Sequence, residues 1–405
     1  MKRLAIPLVL ILPLAACGKG FDSPQASQPQ QSAGPVSLQI LMASSGDAET
    51  AAVKEAAAAW AKSSGNAATV TPAQDIHQQL GQAFAGSSPP DVFYVDASRF
   101  ADYASVGALE PYADKISNPD DFYPSLRTTF TYNGTFYCAP KDFSTLALIV
   151  NDDLWKKAGL TDADVPTTWE QLTAVAKRIK GVTPLAIGDT RDRLGAFMVQ
   201  AGGWITSQDG KQATGDTPEN LKALEYVQTL LKDKLMQYPK QLDAGWGGEA
   251  FGKGKAAMTI EGNWIKGAMK ADYPNVKFTA HELPAGPKGK GTLSFTNCWG
   301  IAAKSKNKAA AIGFVEAMTK ADQQMTFARA FGVMPSRQSA KDAYVKEFPA
   351  DTAFVNGADY AQGPVNAPKM DSVLSDFDTG LQQLTSQDPK AILARLQKNT
   401  QSALG

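Results

Sequence analysis

Histidine and cysteine are scarce in this chain of 405 residues: His77, His281 and three cysteines are too few for a Cys/His zinc cage. His281 has no second histidine four positions on, so the HExxH pattern is missing, and a catalytic metal would have to be held by carboxylates alone. Net charge is absent as well. Lys+Arg 40 balance Asp+Glu 40 without long blocks of one sign, which leaves no footprint for a phosphate backbone and excludes nucleic acid as the expected partner. No GxGxxG follows a strand and no GxSxG elbow occurs. Gly247-x-x-x-x-Gly252-Lys253 approaches a phosphate loop, but Gly254 stands where a hydroxyl should hold magnesium, and we read it as coincidence. Neither histidine has a visible nucleophile beside it, and among 40 acidic residues chance carboxylate pairs are a weak basis for a hydrolase. No catalytic residue, metal or cofactor is therefore expected.

The start of the chain is more informative. Lys2-Arg3, the apolar run Leu4–Ala16 and small residues ahead of Cys17 have the layout of a secretory signal over residues 1–16. Thirteen residues are too few for a membrane span of about 20. Leu14-Ala15-Ala16-Cys17 resembles the lipobox of bacterial lipoproteins, in which Cys17 is acylated and becomes the first mature residue. Loss of Lys2 and Arg3 leaves 38 basic against 40 acidic residues, a mature charge near −2. In residues 18–35, Gly, Ser, Pro and Gln fill 13 of 18 positions, a composition for a tether reaching roughly 23 Å. The expected location is extracytoplasmic, with membrane attachment through the lipid only.

The body has the length and the 43% hydrophobic content for two compact domains. Val36, Leu38, Ile40 and Met42 alternate as a strand, and the following helix, capped by Asp47, should stop near Gly65. Asp91–Val95 reads as a second strand, with a helical or turn segment through 99–107. Thr167-x-x-Glu170 reads as a capping box before Trp169, Leu172, Val175 and Ile179, while Thr217-Pro218 and Asp388-Pro389 open two further helices. Strands alternating with helices imply an α/β fold with parallel sheets. Residues 239–300 differ, being rich in glycine and aromatics without helical periodicity, a composition suited to a ligand cleft. Cys138 and Cys298 remain after export and are read as a bridge between two strand-like segments, the other reading being two buried thiols. A bridge would close a loop of about 160 residues, for which chain entropy gives roughly 4–5 kcal/mol.

Several segments together resemble the extracytoplasmic solute-binding proteins of ABC sugar importers, the group that includes maltodextrin-binding protein. They are Pro90–Tyr94; Tyr132-Asn133-Gly134 through Ala139-Pro140 to Ile149–Leu154; Lys157–Leu160; Pro166–Glu170; Phe251-x-Gly-Lys-x-Ala-Ala-Met258-x-x-x-Gly262-x-Trp264; Gly300-Ile301-Ala302; and Gly332–Arg337. The resemblance runs from about Leu38 to Arg337. It implies a two-lobed periplasmic-binding-protein-like fold, with 36–141 plus 298–342 in one lobe and 145–293 plus 346–405 in the other. It further implies a monomeric, non-enzymatic receptor that closes on a sugar and delivers it to the membrane subunits of an ABC permease. On this layout Cys138 and Cys298 fall on neighbouring strands of one lobe.

Carried over by residue, Trp264 matches a position where family members stack an aromatic ring on a sugar, whose apolar C–H face fits a flat ring. Candidates for the polar contacts are Ser45, Asp47, Asp96, Asp142, Ser144, Asp189, Arg191 and Glu261, with Trp204 and Trp299 as further platforms. Val95 and Ala97 stand where a long maltodextrin site would profit from an aromatic, so the resemblance leaves the ligand open from monosaccharide to oligosaccharide. Gly363–Ser386 matches no motif. The competing readings are the same fold with a non-sugar solute, an exported glycan hydrolase, and a structural lipoprotein without ligand.

Overall fold

The computed structural model describes residues 34–86 and 88–405, so the signal, Cys17 and nearly all of the tether lie outside the described residues. The body is built around two five-stranded sheets. The first has the order 67–72, 37–42, 92–96, 297–301, 139–140. Its first three strands are parallel, pairing Ile40 with Val70 and with Val92, whereas 297–301 runs antiparallel to both neighbours. The second has the order 236–237, 183–186, 256–261, 147–151, 278–281, again with three parallel strands followed by two antiparallel pairings. The expected parallel sheet is therefore present in part, each sheet being mixed, for a physical reason. Strand 297–301 enters with Asn297 opposite Asp96, and 147–151 enters with Ala147 opposite Glu261, each at the carboxyl end of a parallel strand, so each can only run backwards.

The chain crosses between these sheets through a third, small one: Ser144–Thr145 pairs antiparallel with Thr292–Phe295, which pairs parallel with Ala361–Gln362. Leu38, Ile40, Val92, Phe93, Trp299 and Phe314 form the core against the first sheet. Leu148, Trp169, Leu185, Met258, Phe377 and Leu393 form the core of the second, to which the C-terminal helices Asp371–Gln382 and Pro389–Leu404 belong. A third cluster, including Phe143, Ile149, Ile265 and Tyr344, fills the join.

Local signals explain the elements, with two shifts. Helix Asp47–Ser64 ends on Gly65 in the left-handed conformation (φ 72°), as expected, but its N-cap is Gly46; Asp47 is the first helical residue, placing its carboxylate at the positive end of the helix dipole. Helix Trp169–Arg178 is capped by Thr168, whose hydroxyl accepts from the Gln171 amide, while the amide and hydroxyl of Thr167 both donate to the Gln171 side chain. The cap is thus displaced by one residue from Thr167, and the reciprocal bond of a capping box is not formed at Thr168. Thr217 and Asp388 cap their helices with Pro at the first helical position. Cys138, just before strand Ala139–Pro140, and Cys298, in the adjacent strand Asn297–Ile301, form the disulfide, with Cα atoms 5.7 Å apart and 160 residues apart in sequence. Among the described residues, no helix is long and apolar enough to cross a membrane.

Candidate ligand-binding site

Because both crossings enter at carboxyl ends of parallel strands, those ends of the two sheets face a common cleft, the place where open α/β sheets hold ligands. The cleft has a volume of about 560 Å³, within the range of about 300–1,000 Å³ for small-molecule sites. Seven of the residues expected from the sequence line it: Ser45, Asp96, Asp142, Ser144, Arg191, Trp204 and Trp264.

On the first-sheet side, the floor is a buried charge cluster. Lys141 Nζ donates to Glu49 Oε1 at 3.0 Å and pairs with Asp142; Glu49 also accepts from Tyr94 Oη at 3.1 Å and from the amide and hydroxyl of Ser45, both at 2.7 Å. The ammonium lies 4.7 Å from the Tyr94 ring centre. Burial alone would raise the Glu49 carboxyl, but the Lys141 charge and the Ser45 hydrogen bonds outweigh it and hold it below its ordinary value. Burial dominates at Asp142, which is raised in spite of Lys141. Burial would lower Lys141, yet the two carboxylates raise it, so the ammonium stays charged. The sequence reading found Asp142 and Ser45 but missed Glu49 and Lys141, since nothing local announces that a helix residue and a strand-end lysine meet 92 residues apart.

On the second-sheet side stands Trp264. Strand Ala256–Glu261 is followed by Gly262, where an added Cβ would lie 2.2 Å from the Trp264 ring, so glycine is what lets the indole fold back. Trp264 Nε1 donates to Glu261 Oε2 at 3.0 Å, and the same oxygen accepts from Arg193 Nη2 at 2.7 Å. The Arg193 guanidinium lies 5.0 Å from the centre of the indole, and Phe295 meets it edge-on at 5.2 Å. Held on three sides, the ring is still 37% exposed; it and Val106 are the two large hydrophobic side chains left exposed among the described residues. Burial raises the Glu261 carboxyl even against its Arg193 partner.

The remaining candidates divide. Ser144 Oγ accepts from the Asn263 amide at 3.1 Å, tying the two halves of the wall together. Asp96 caps helix Ala97–Ser105 through the Ser98 amide at 2.8 Å, and Arg191 pairs with Asp378, so both carry structural partners as well as facing the cleft. Trp204 Nε1 and Ser294 Oγ line the cleft and are buried without a hydrogen-bond partner among the described residues. Trp299 is a correction: it is 1% exposed, edge-on to Tyr94 and Phe314 at 4.8 and 5.7 Å, and serves as core because its strand position points it into the first half. Asp47 is exposed on the first turn of its helix and does not line the cleft. Asp189 and Glu261 line a second cavity of about 490 Å³ instead. Gln362 and the segment Gly363–Val365, the start of the stretch that matches no motif, close one side of the cleft.

A family model for bacterial extracellular solute-binding proteins matches residues 43–325, most of the chain and both sides of the cleft. The chain belongs to this family. Among relatives of this solute-binding protein is a binding protein of Brucella abortus, 27% identical over 311 residues, covering 72% of this chain and 71% of the relative. The diacetylchitobiose-binding protein of Streptomyces coelicolor is 24% identical over 281 residues, 65% of this chain and 64% of that one. Of the solved structures, the cyclic α-maltosyl-1,6-maltose-binding protein of Arthrobacter globiformis aligns with a TM-score of 0.82 at 21% identity, over 92% of this chain and 99% of that one, and shares its two-lobed fold.

Proposed function

We propose that this solute-binding protein is a sugar receptor: it holds a mono- to oligosaccharide between its two halves, closes about the hinge, and delivers the ligand to the membrane subunits of an ABC importer without chemical change. The lobes are 36–141 plus 298–342 and 145–293 plus 346–405, and the exported chain is cleaved before Cys17, lipidated there, and held at the membrane as a monomer by that anchor alone.

The observation that carries this reading is the exposed, braced indole of Trp264 set into a largely apolar cleft that also presents polar side chains. An indole face takes the apolar C–H side of a pyranose, while the hydroxyls need fixed partners. Trp204 and Ser294 line the cleft with their buried Nε1 and Oγ lacking a hydrogen-bond partner among the described residues, and Asp96 and Asp142 are carboxylates that accept hydroxyl hydrogen bonds. Support also comes from relatives, the diacetylchitobiose-binding protein of Streptomyces coelicolor and an arabinooligosaccharide-binding protein of Bacillus subtilis. An affinity in the micromolar range, about −8 kcal/mol, fits a receptor that must also release.

The test is a thermal-shift and calorimetric screen of the domain from residue 36 against mono-, di- and oligosaccharides, polyamines and phosphoesters. A saturating sugar at about 100 times its dissociation constant adds about 2.7 kcal/mol of stability, and the Trp264→Ala variant loses that response. A response to polyamine or phosphoester alone, or turnover of a glycan, would overturn the reading.

A further inference from the structure

The second cavity lies beside the main cleft, and it too is framed by strand ends. Pro239 and Lys240 follow strand Met236–Gln237, Gly188 and Asp189 follow strand Thr183–Ala186, and Glu261 ends strand Ala256–Glu261. These three strands are neighbours and mutually parallel, so the cavity sits at three adjacent carboxyl ends, the position at which an α/β sheet receives ligand. Its wall includes Trp246, half-buried. An added Cβ at Gly248 would lie 2.1 Å from that ring, so Trp246 folds back over a glycine two positions away, as Trp264 does over Gly262. Asp189 and Lys240 line the cavity with no hydrogen-bond or ion-pair partner among the described residues. The two cavities adjoin: Asp192 lines both, and Arg193, which lines the second, lies over the indole that lines the first.

We propose that this cavity is a further carbohydrate subsite, in which Trp246 stacks a second sugar ring and Asp189 and Lys240 bind its hydroxyls, so that the protein takes a glycan extending past Arg193 rather than a lone mono- or disaccharide. The proposal rests on the sugar-receptor reading and deepens it. The volume of about 490 Å³ matches the main cleft in scale, and the chemistry repeats it: a ring fixed by glycine, with charged hydrogen-bonding groups beside it.

Its test is calorimetry of the mature domain with malto-, chito- and arabino-oligosaccharides from one to six units. In whichever series binds, wild-type affinity rises from disaccharide to tetrasaccharide, and Trp246→Ala loses about tenfold of that gain. Asp189→Asn, at a half-buried position, loses several-fold and serves where Trp246→Ala folds poorly. In a Trp264→Phe background, a tetrasaccharide changes the indole fluorescence in a way that disappears when Trp246→Phe is added. Wild-type affinity that is flat with chain length, or a gain with length that survives both single variants, overturns the subsite while leaving the receptor standing. Failure of every sugar in all three series overturns the receptor reading itself.

Discussion

Gly262 illustrates how one missing carbon sets a site. With a Cβ there only 2.2 Å from the indole, Gly262→Ala must push Trp264 off its Glu261 and Arg193 braces. We expect about a tenfold loss of sugar affinity, about 1.4 kcal/mol, with little change in melting temperature, measured by calorimetry beside Trp264→Ala. Lys141 makes the opposite case, a residue whose loss is felt in stability. Lys141→Met leaves Glu49 and Asp142 buried beside each other without their cation, for which a cost of about 3–5 kcal/mol is expected at neutral pH. The sign with pH follows from Glu49. Its folded value lies below the ordinary 4.5, so its contribution is present above 4.5 and lost as pH falls through the folded value. The gap between wild type and Lys141→Met, read by thermal unfolding, should therefore be wide at pH 7 and shrink once pH falls below 4.5 and through the folded Glu49 value.

At the scale of elements, sequence signals of local origin held except at the caps expected at Asp47 and Thr167, each displaced by one residue. Thr217 and Asp388 before proline, Gly65 after a helix, and the alternation of Leu38, Ile40 and Met42 each specify a helix end or a strand face by contacts within a few residues, and the structure has them there. Strand direction is not local: 297–301 is antiparallel because of where the chain arrives, which depends on the small sheet formed with residues 144–145 and 361–362. Trp264 was legible through its motif, whereas Trp299 differed from it only in facing a core rather than a cleft. The disulfide belongs to this scale too, since it joins the strand Ala139–Pro140, ahead of Lys141 and Asp142, to strand Asn297–Ile301. Its loop of 160 residues is worth up to about 5 kcal/mol of chain entropy. Paired Cys138→Ser and Cys298→Ser substitutions should cost about 2–5 kcal/mol, read as a lower unfolding midpoint in urea, and reductant should lower the wild type but not the variant.

For the whole molecule, the question is what holds the two halves against each other. The segment that carried no motif supplies an answer. Lys369 donates its amide to Asp102 Oδ1 at 2.9 Å, Asp371 pairs with Arg99, and Asn366 Nδ2 donates to the Thr131 carbonyl at 2.7 Å. Arg99 and Asp102 lie on helix Ala97–Ser105, whose Phe100 is in the first core; Asp371 begins a helix whose Val373 and Phe377 are in the second. The contacts therefore clasp the two halves at the rim of the cleft, beside Asp96 and Leu374, which line it. Such a clasp has no sequence signature, because each partner taken alone is an ordinary surface charge. If closure forms these contacts and opening breaks them, they add to apparent ligand affinity without touching ligand, since anything that favours the closed form raises the competent fraction. An exposed pair contributes about 0.2–1 kcal/mol, so Arg99→Ala should weaken sugar binding about 1.5- to 5-fold. The pair is screened by salt, so wild-type affinity for a neutral sugar should fall between 0.05 and 0.5 M NaCl, values chosen to bracket a Debye length of about 10 Å, and the variant should be flat over the same range. Equal salt dependence in both proteins would mean that the rim charges lie outside the closing equilibrium and that the cleft residues alone set the affinity.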